Sequence, residues 1–372
     1  MSVPPPYGPR LSKIRFSGML HDGTVLIIDC HLDLSWNALG WNRDLRIPAS
    51  ETRAVEAGLV DQGHGRGMGT VSFPDLRRGQ VGICVGTLLA RKNARGNYSN
   101  LDFRTQEIAC AVARGQMAYY RQLEEDGVCR ILTDISQFET SYGAWLDQDA
   151  GEPLGFIISM EGADPILSPG HLERWYREGL RAIGLAHYGP SAYAHGTGCT
   201  GPLTAAGREM LRGMEELGMI LDLTHLCDES FWEAVELFHG TVWASHNNCR
   251  AITPGDRQFS DDQIRCIIER GGVIGAALDN WMIVPNWRER DVTLAHVVDH
   301  MDHVCQLAGN AKHVAIGSDL DGGFGREQSP QDLDTIADMQ QFAPILRSRG
   351  YSEEDVAGVF HGNWARVIRG AW

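Results

Sequence analysis

Short apolar runs recur along the chain, separated by stretches with helical spacing. The runs fall at 25–30, 81–87, 128–132, 154–160, 181–187, 219–225, 241–246, 271–277 and 313–318. They are apolar on both faces instead of alternating, which is the pattern of parallel strands covered on both sides. Between them, 104–125, 202–218, 260–270 and 293–308 read as helices, the last two opened by Ser260 and Thr293 as N-caps. The run at 128–132 (VCRIL) is the shortest and carries Arg130, so it is set aside, which leaves eight strands. Eight strand–helix units predict an α/β fold, a (β/α)8 TIM barrel of the metal-dependent hydrolase type, over residues 25–372 as a single catalytic domain. The Pro-rich segment 1–24 is expected to be irregular. No GxGxxG follows the first strand, which weighs against an open doubly wound sheet.

The second pattern lies in how the runs end. VLIIDCHLD stops at His31 and Asp33, GFIISMEG at Glu161, MILDLTH at His225, TVWASH at His246 and HVAIGSD at Asp319. In a parallel barrel these endpoints meet on the catalytic face. His31 and Asp33 are two apart on an extended segment and project to the same side, away from Cys30 and Leu32. Taken alone, that HxD is equally a buried hydrogen-bonded pair. His225 and His246 close successive strands, and a lone strand-end histidine is more often a core residue than a ligand. A repeated pattern of this kind weakens the packing explanation. Glu161 without a cationic partner would be costly to bury, and bridging two cations removes that cost. The set therefore divides into two zinc-like metals, His31 and Asp33 on one, His225 and His246 on the other, with Glu161 shared. Some barrel hydrolases bridge their metals with a carboxylated lysine, but Lys13, Lys92 and Lys312 do not end a middle strand. Asp319 is assigned as general base and acid, with a ligand role as the alternative, and Asp321 as a turn residue.

Charge and composition narrow the class. A net charge of −15 is wrong for nucleic acid, whose phosphates need a basic face. No apolar stretch approaches the roughly 20 residues that span a bilayer, and neither a signal peptide nor a lipid-anchor motif is expected. Nine cysteines with no CxxC spacing predict reduced thiols in a cytoplasmic protein. Three histidines, His296, His300 and His303, share one face of the 293–308 helix. They are expected to lie on an outward, solvated or interface face. His195 is expected on a loop surface.

Taken together, HLD, SMEG, DLTH, SHNN with Arg257 eleven residues past its histidine, GSDLDG, VSFPDLRRGQVG and GNWARV resemble the membrane (renal-type) dipeptidases, the M19 metallopeptidases, across about residues 25–370. The resemblance implies a dipeptidase with two zinc ions per chain, bridged by Glu161 and a hydroxide. It carries over His31, Asp33, Glu161, His225 and His246 as ligands and Asp319 as proton shuttle. It also implies that His187 polarises the scissile carbonyl and that Arg257 holds the substrate's terminal carboxylate. A guanidinium at the barrel mouth suits bidentate carboxylate binding, although a surface charge beside Ser260 is the alternative. The expected partner is a dipeptide, with a homodimer as the assembly. A related amide, lactone or β-lactam hydrolase is one competing reading, and a degenerate barrel used as a binding scaffold is another. The loops at 188–198 and 280–291 carry no pattern that selects a substrate side chain.

Overall fold

The computed structural model describes residues 24–59, 65–93, 100–149 and 151–372. Apart from Thr24, the segment 1–24 lies outside the described residues. Eight parallel strands follow in chain order: β1 (Ile27–Leu32), β2 (Val81–Leu88), β3 (Leu154–Glu161), β4 (Leu180–Gly184), β5 (Ile220–Asp222), β6 (Val242–Trp243), β7 (Ile274–Ala276) and β8 (Val314–Ile316). Each is buried along its whole length, as continuous apolar runs require. β1 to β6 pair in sequence order, Ala244 bridges to Ile274 and β7 pairs β8. The ring closes where the Asp319 N–H donates to His31 O at 3.3 Å and the Ser318 N–H to Asp29 Oδ1 at 2.8 Å. The fold is the expected (β/α)8 barrel.

Two helices begin at the expected caps, Ser260 and Thr293, and a third at Thr105, a cap not foreseen. Thr105 accepts from the Ile108 N–H ahead of Gln106–Glu125, and Ser260 forms a capping box with Gln263 ahead of Asp261–Glu269. Leu294–Ala308 follows Thr293, whose N–H donates to His296 Nδ1 at 3.2 Å. The C-terminal helix Asn363–Ala371 is clamped to β8 by side chains. Asn363 Nδ2 donates to Val314 O and Ala311 O, and Trp364 Nε1 to Ile316 O. This accounts for the Asn-Trp pair of the GNWARV motif.

Three expectations are corrected. The discarded run at 128–132 does form a strand, Cys129–Ile131, which pairs with Leu154–Phe156 at the start of β3. β4 takes over the same edge from Ile158 onward, so the extra strand lies outside the eight without displacing any of them. The later strands are also shorter than their apolar runs. β5 ends at Asp222 and β8 at Ile316, because His225 (φ 70°) and Asp319 (φ 58°) adopt the left-handed conformation, which cannot continue a ladder. Finally, His300 is buried, not solvated. Its Nδ1 accepts from the Cys249 N–H and its Nε2 donates to Ile283 O, tying the helix to two mouth loops.

Candidate metal centre and cleft

The strand ends bring the six polar residues into one cluster. His31 lies within β1 and Asp33 just beyond it, Glu161 ends β3, and His225, His246 and Asp319 follow β5, β6 and β8 by a few residues. The two oxygens of Glu161 face different partners. Oε2 is 3.6 Å from His31 Nε2, whereas Oε1 is 3.1 Å from His225 Nε2, 3.4 Å from His246 Nε2 and 3.6 Å from His187 Nε2. Asp33 Oδ2 approaches His31 Nε2 at 3.9 Å. Asp319 spans the cluster, with Oδ1 3.8 Å from His31 Nε2 and Oδ2 3.9 Å from His246 Nε2.

Neighbouring polar groups orient each ring. Ser245 Oγ contacts Nδ1 of His31 (3.3 Å) and of His246 (2.9 Å), and Thr197 Oγ1 contacts Nδ1 of His225 (3.1 Å). Thr87 Oγ1 donates to Asp33 Oδ1. The Nε2 atoms of His225 and His246 lie 3.3 Å apart, and His31 Nε2 is buried with no hydrogen-bond partner. Imidazole nitrogens and carboxylate oxygens that converge in one buried cluster form a donor set able to hold a cation.

Electrostatics point the same way. Burial opposes charge on His31, but Glu161, Asp33 and Asp319 outweigh it and push the ring up to about 10. Burial, reinforced by Glu161, pushes Asp33 up to about 7. It also drives Asp319 well above the usual carboxylate range, again with help from Glu161 and Asp33. Burial drives His225 and His246 well below their ordinary value, with Arg257 adding to it in both. Against burial, Glu161 is held well below the usual carboxylate range by the charged His31 ring and by hydrogen bonds from His225 and His246. Crowding of three buried carboxylates is thus offset by a proton held on His31 and by the raised proton affinity of Asp33 and Asp319. Groups able to seat cations recur here as His31–Glu161–His246, Glu161–His187–His225 and His31–Asp33–Asp319. Carboxylate and imidazole donors fit zinc or a similar divalent ion.

A cleft of about 270 Å³ opens above the cluster. Its walls include Trp36, Arg91, His187, Tyr188, Arg257, Asp279 and Trp281. His187 projects into it from beyond β4, and burial holds its ring down to about 3. Arg257 is buried, its Nη2 donating to His246 O at 3.0 Å while Nη1 has no partner. Asp321 lies in a turn, as expected, and is held firmly there. It accepts from the Thr70 N–H and hydroxyl and from the Val71 N–H. His195 bonds Pro202 O and does not line the cleft.

Two charged cleft residues escaped the sequence reading. Asp279 ends the apolar run VIGAALD and obeys the same rule that found the others. Gln328 Nε2 and the Trp281 N–H both donate to its Oδ1, and burial pushes it up to about 7. Arg91 follows β2 by three residues, and no comparable pattern marks it.

A family model described as membrane dipeptidase, peptidase family M19, matches residues 20–371. An uncharacterised Klebsiella pneumoniae protein from the pqqA 5′ region is 31% identical over 229 residues, covering 59% of this chain and 83% of that protein. The dipeptidase aclJ of Aspergillus oryzae is 26% identical, covering 81% of this chain and 69% of its own. A match to an uncharacterised Schizosaccharomyces pombe dipeptidase spans about half of that protein (52%). Among solved structures, a Rhodobacter sphaeroides metallopeptidase liganded with a phosphinate mimic of L-Ala-D-Ala superposes with a TM-score of 0.76 at 22% identity. It covers 94% of this chain and 100% of that one. The probable dipeptidase PvdM of Pseudomonas aeruginosa gives 0.75 at 17%, covering 93% and 95%. At these identities the superpositions establish a shared fold.

Proposed function

The chain belongs to the membrane dipeptidase family, peptidase family M19, and on that footing we propose that it is a binuclear zinc dipeptidase acting on dipeptides with free termini, L-Xaa-D-Xaa among them. The observation that carries the binuclear reading is the division of Glu161, one oxygen toward His31 and the other toward His225 and His246. His31 and Asp33 would hold one ion and His225 and His246 the other, with Glu161 shared. Bound there, the ions would supply a water of lowered pKa and Lewis-acid polarisation of the carbonyl.

The remaining steps fall to the protein. Arg257 takes the C-terminal carboxylate on its unpartnered Nη1, which restricts the enzyme to very short peptides. His187 donates to the scissile carbonyl oxygen and stabilises the charge that grows there. Asp319 accepts the proton of the attacking water and delivers it to the leaving amine. The cleft volume lies just below the common range of small-molecule sites, about 300–1,000 Å³, in keeping with a two-residue substrate. The relative crystallised with an L-Ala-D-Ala mimic supports the choice of stereochemistry. We place the protein in the cytoplasm, where its nine cysteines would stay reduced.

Asp319→Asn tests the reading. It should bind two zinc ions per chain while kcat falls at least about a hundredfold. Metal content and dipeptide turnover are measured on the same preparation, and full activity in the variant removes Asp319 from the shuttle role.

A further inference from the structure

His187 is grouped with Glu161 and His225 as a third imidazole able to seat a cation, yet it also lines the cleft where a donor to the substrate carbonyl is needed. The two roles demand opposite states of Nε2. A ligand presents a lone pair there, whereas a donor presents N–H. The choice is made at the other ring nitrogen. Arg91 Nη1 lies 3.1 Å from His187 Nδ1. A guanidinium only donates, so Nδ1 must hold its lone pair, and a neutral ring then carries its proton on Nε2.

Arg91 is itself held. Its Nε and Nη2 both reach Asp102 Oδ1, at 2.9 and 2.7 Å. The two residues sit on a short parallel pair, Arg91–Lys92 against Asp102–Phe103, beside the cleft. The Lys92 N–H also donates to Asp164 Oδ2 at 2.8 Å, and Asp164 accepts in turn from the Ala192 N–H in the loop after β4. The element that presents Arg91 is therefore tied to the segment that follows His187.

We propose that Arg91, anchored by Asp102, is a positioning residue that locks His187 in the Nε2–H tautomer, so that His187 donates to the substrate carbonyl and is kept out of the metal-ligand set. The proposal rests on the carbonyl-polarising role given to His187 above, and its test reads the tautomer directly, whatever the substrate.

The test is long-range 1H–15N NMR on zinc-loaded protein, with the His187 signals assigned by their loss in His187→Gln. The wild type should show a protonated Nε2 and an unprotonated Nδ1. Arg91→Met should mix or reverse the tautomers and lower kcat by on the order of tenfold to a hundredfold, with a smaller change in KM and zinc still at two per chain. Arg91→Lys keeps a donor opposite Nδ1 and should restore the tautomer and part of kcat. A role confined to holding the loop would leave the tautomer of Arg91→Met unchanged, and that result overturns the proposal. So would a wild-type His187 protonated on Nδ1, or one carrying zinc on Nε2. If no dipeptide is cleaved, the dipeptidase reading falls alone, because the tautomer is still read.

Discussion

A single unpartnered nitrogen makes Arg257 the residue where substrate choice is most exposed to test. Its guanidinium is buried and one arm is committed to His246 O, so the free arm can be satisfied only from the cleft. Arg257→Met should lower kcat/KM for a free dipeptide by on the order of a hundredfold, and far less for its C-amidated counterpart, which never offered a carboxylate. Equal losses on both substrates would remove the clamp. Asp279 gives a prediction in pH. Its carboxyl ionises at 3.8 in its ordinary state and near 7 in the fold, because of burial. Between those values the folded chain holds more protons than the unfolded one, so this group makes stability fall as pH rises. Asp279→Asn removes that slope. In urea unfolding of metal-free protein the variant should gain on wild type as pH rises from about 4 to about 7. These residues differ in how readable they were. The ligand candidates each end an apolar run, a pattern that packing does not generate, and Asp279 ends one too. Arg91 was not readable, because its role depends on meeting His187 from 96 positions away.

At the scale of elements, the barrel face depends on how closely strands approach beneath it. A Cβ placed on Gly275 or Gly317 would run into the carbonyl oxygen of Ser245 from both sides. Ser245 also holds the Nδ1 atoms of His31 and His246, so strand packing and ligand orientation meet at one residue. Gly317→Ala should cost about 1–3 kcal/mol of stability through overpacking and should weaken metal retention as well. Denaturant unfolding and zinc content measure the two effects, and retention of both would show that Ser245 can move without consequence. The positions of the strands were legible in the apolar runs, but their ends were not. The runs continue to His225 and Asp319, while the backbone turns left-handed there and leaves the ladder, at a cost of roughly 1–3 kcal/mol per residue. That cost is consistent with turning these side chains toward the cluster. The strand at Cys129–Ile131 was set aside for its length and for Arg130, but pairing with half of β3 needs only three residues and Arg130 finds Glu152 as a partner. His300 was misplaced because helical spacing gives a face but does not say which loops cover it.

For the molecule as a whole, folding and metal loading are one equilibrium. The barrel gathers Asp33, Glu161 and Asp319 under low exposure in a chain of net charge −15, so assembling the site without cations is opposed by like charge. The bare protein answers by protonation, with His31 charged up to about pH 10 and Asp33 protonated below about 7. Ligation requires a neutral imidazole and an ionised carboxylate. At about pH 8, where His31 is charged and Asp33 is already ionised, zinc loading should therefore release about one proton from this pair, and at about pH 6 about two. Calorimetric titration of metal-free protein in two buffers of different ionisation enthalpy counts them. The His31→Ala variant should release about one proton fewer than the wild type at the higher pH. The same coupling makes the melting temperature rise with free zinc and fall with chelator, by an amount that grows with the logarithm of metal concentration. Equal proton release from wild type and His31→Ala would mean that His31 gives up no proton to the metal.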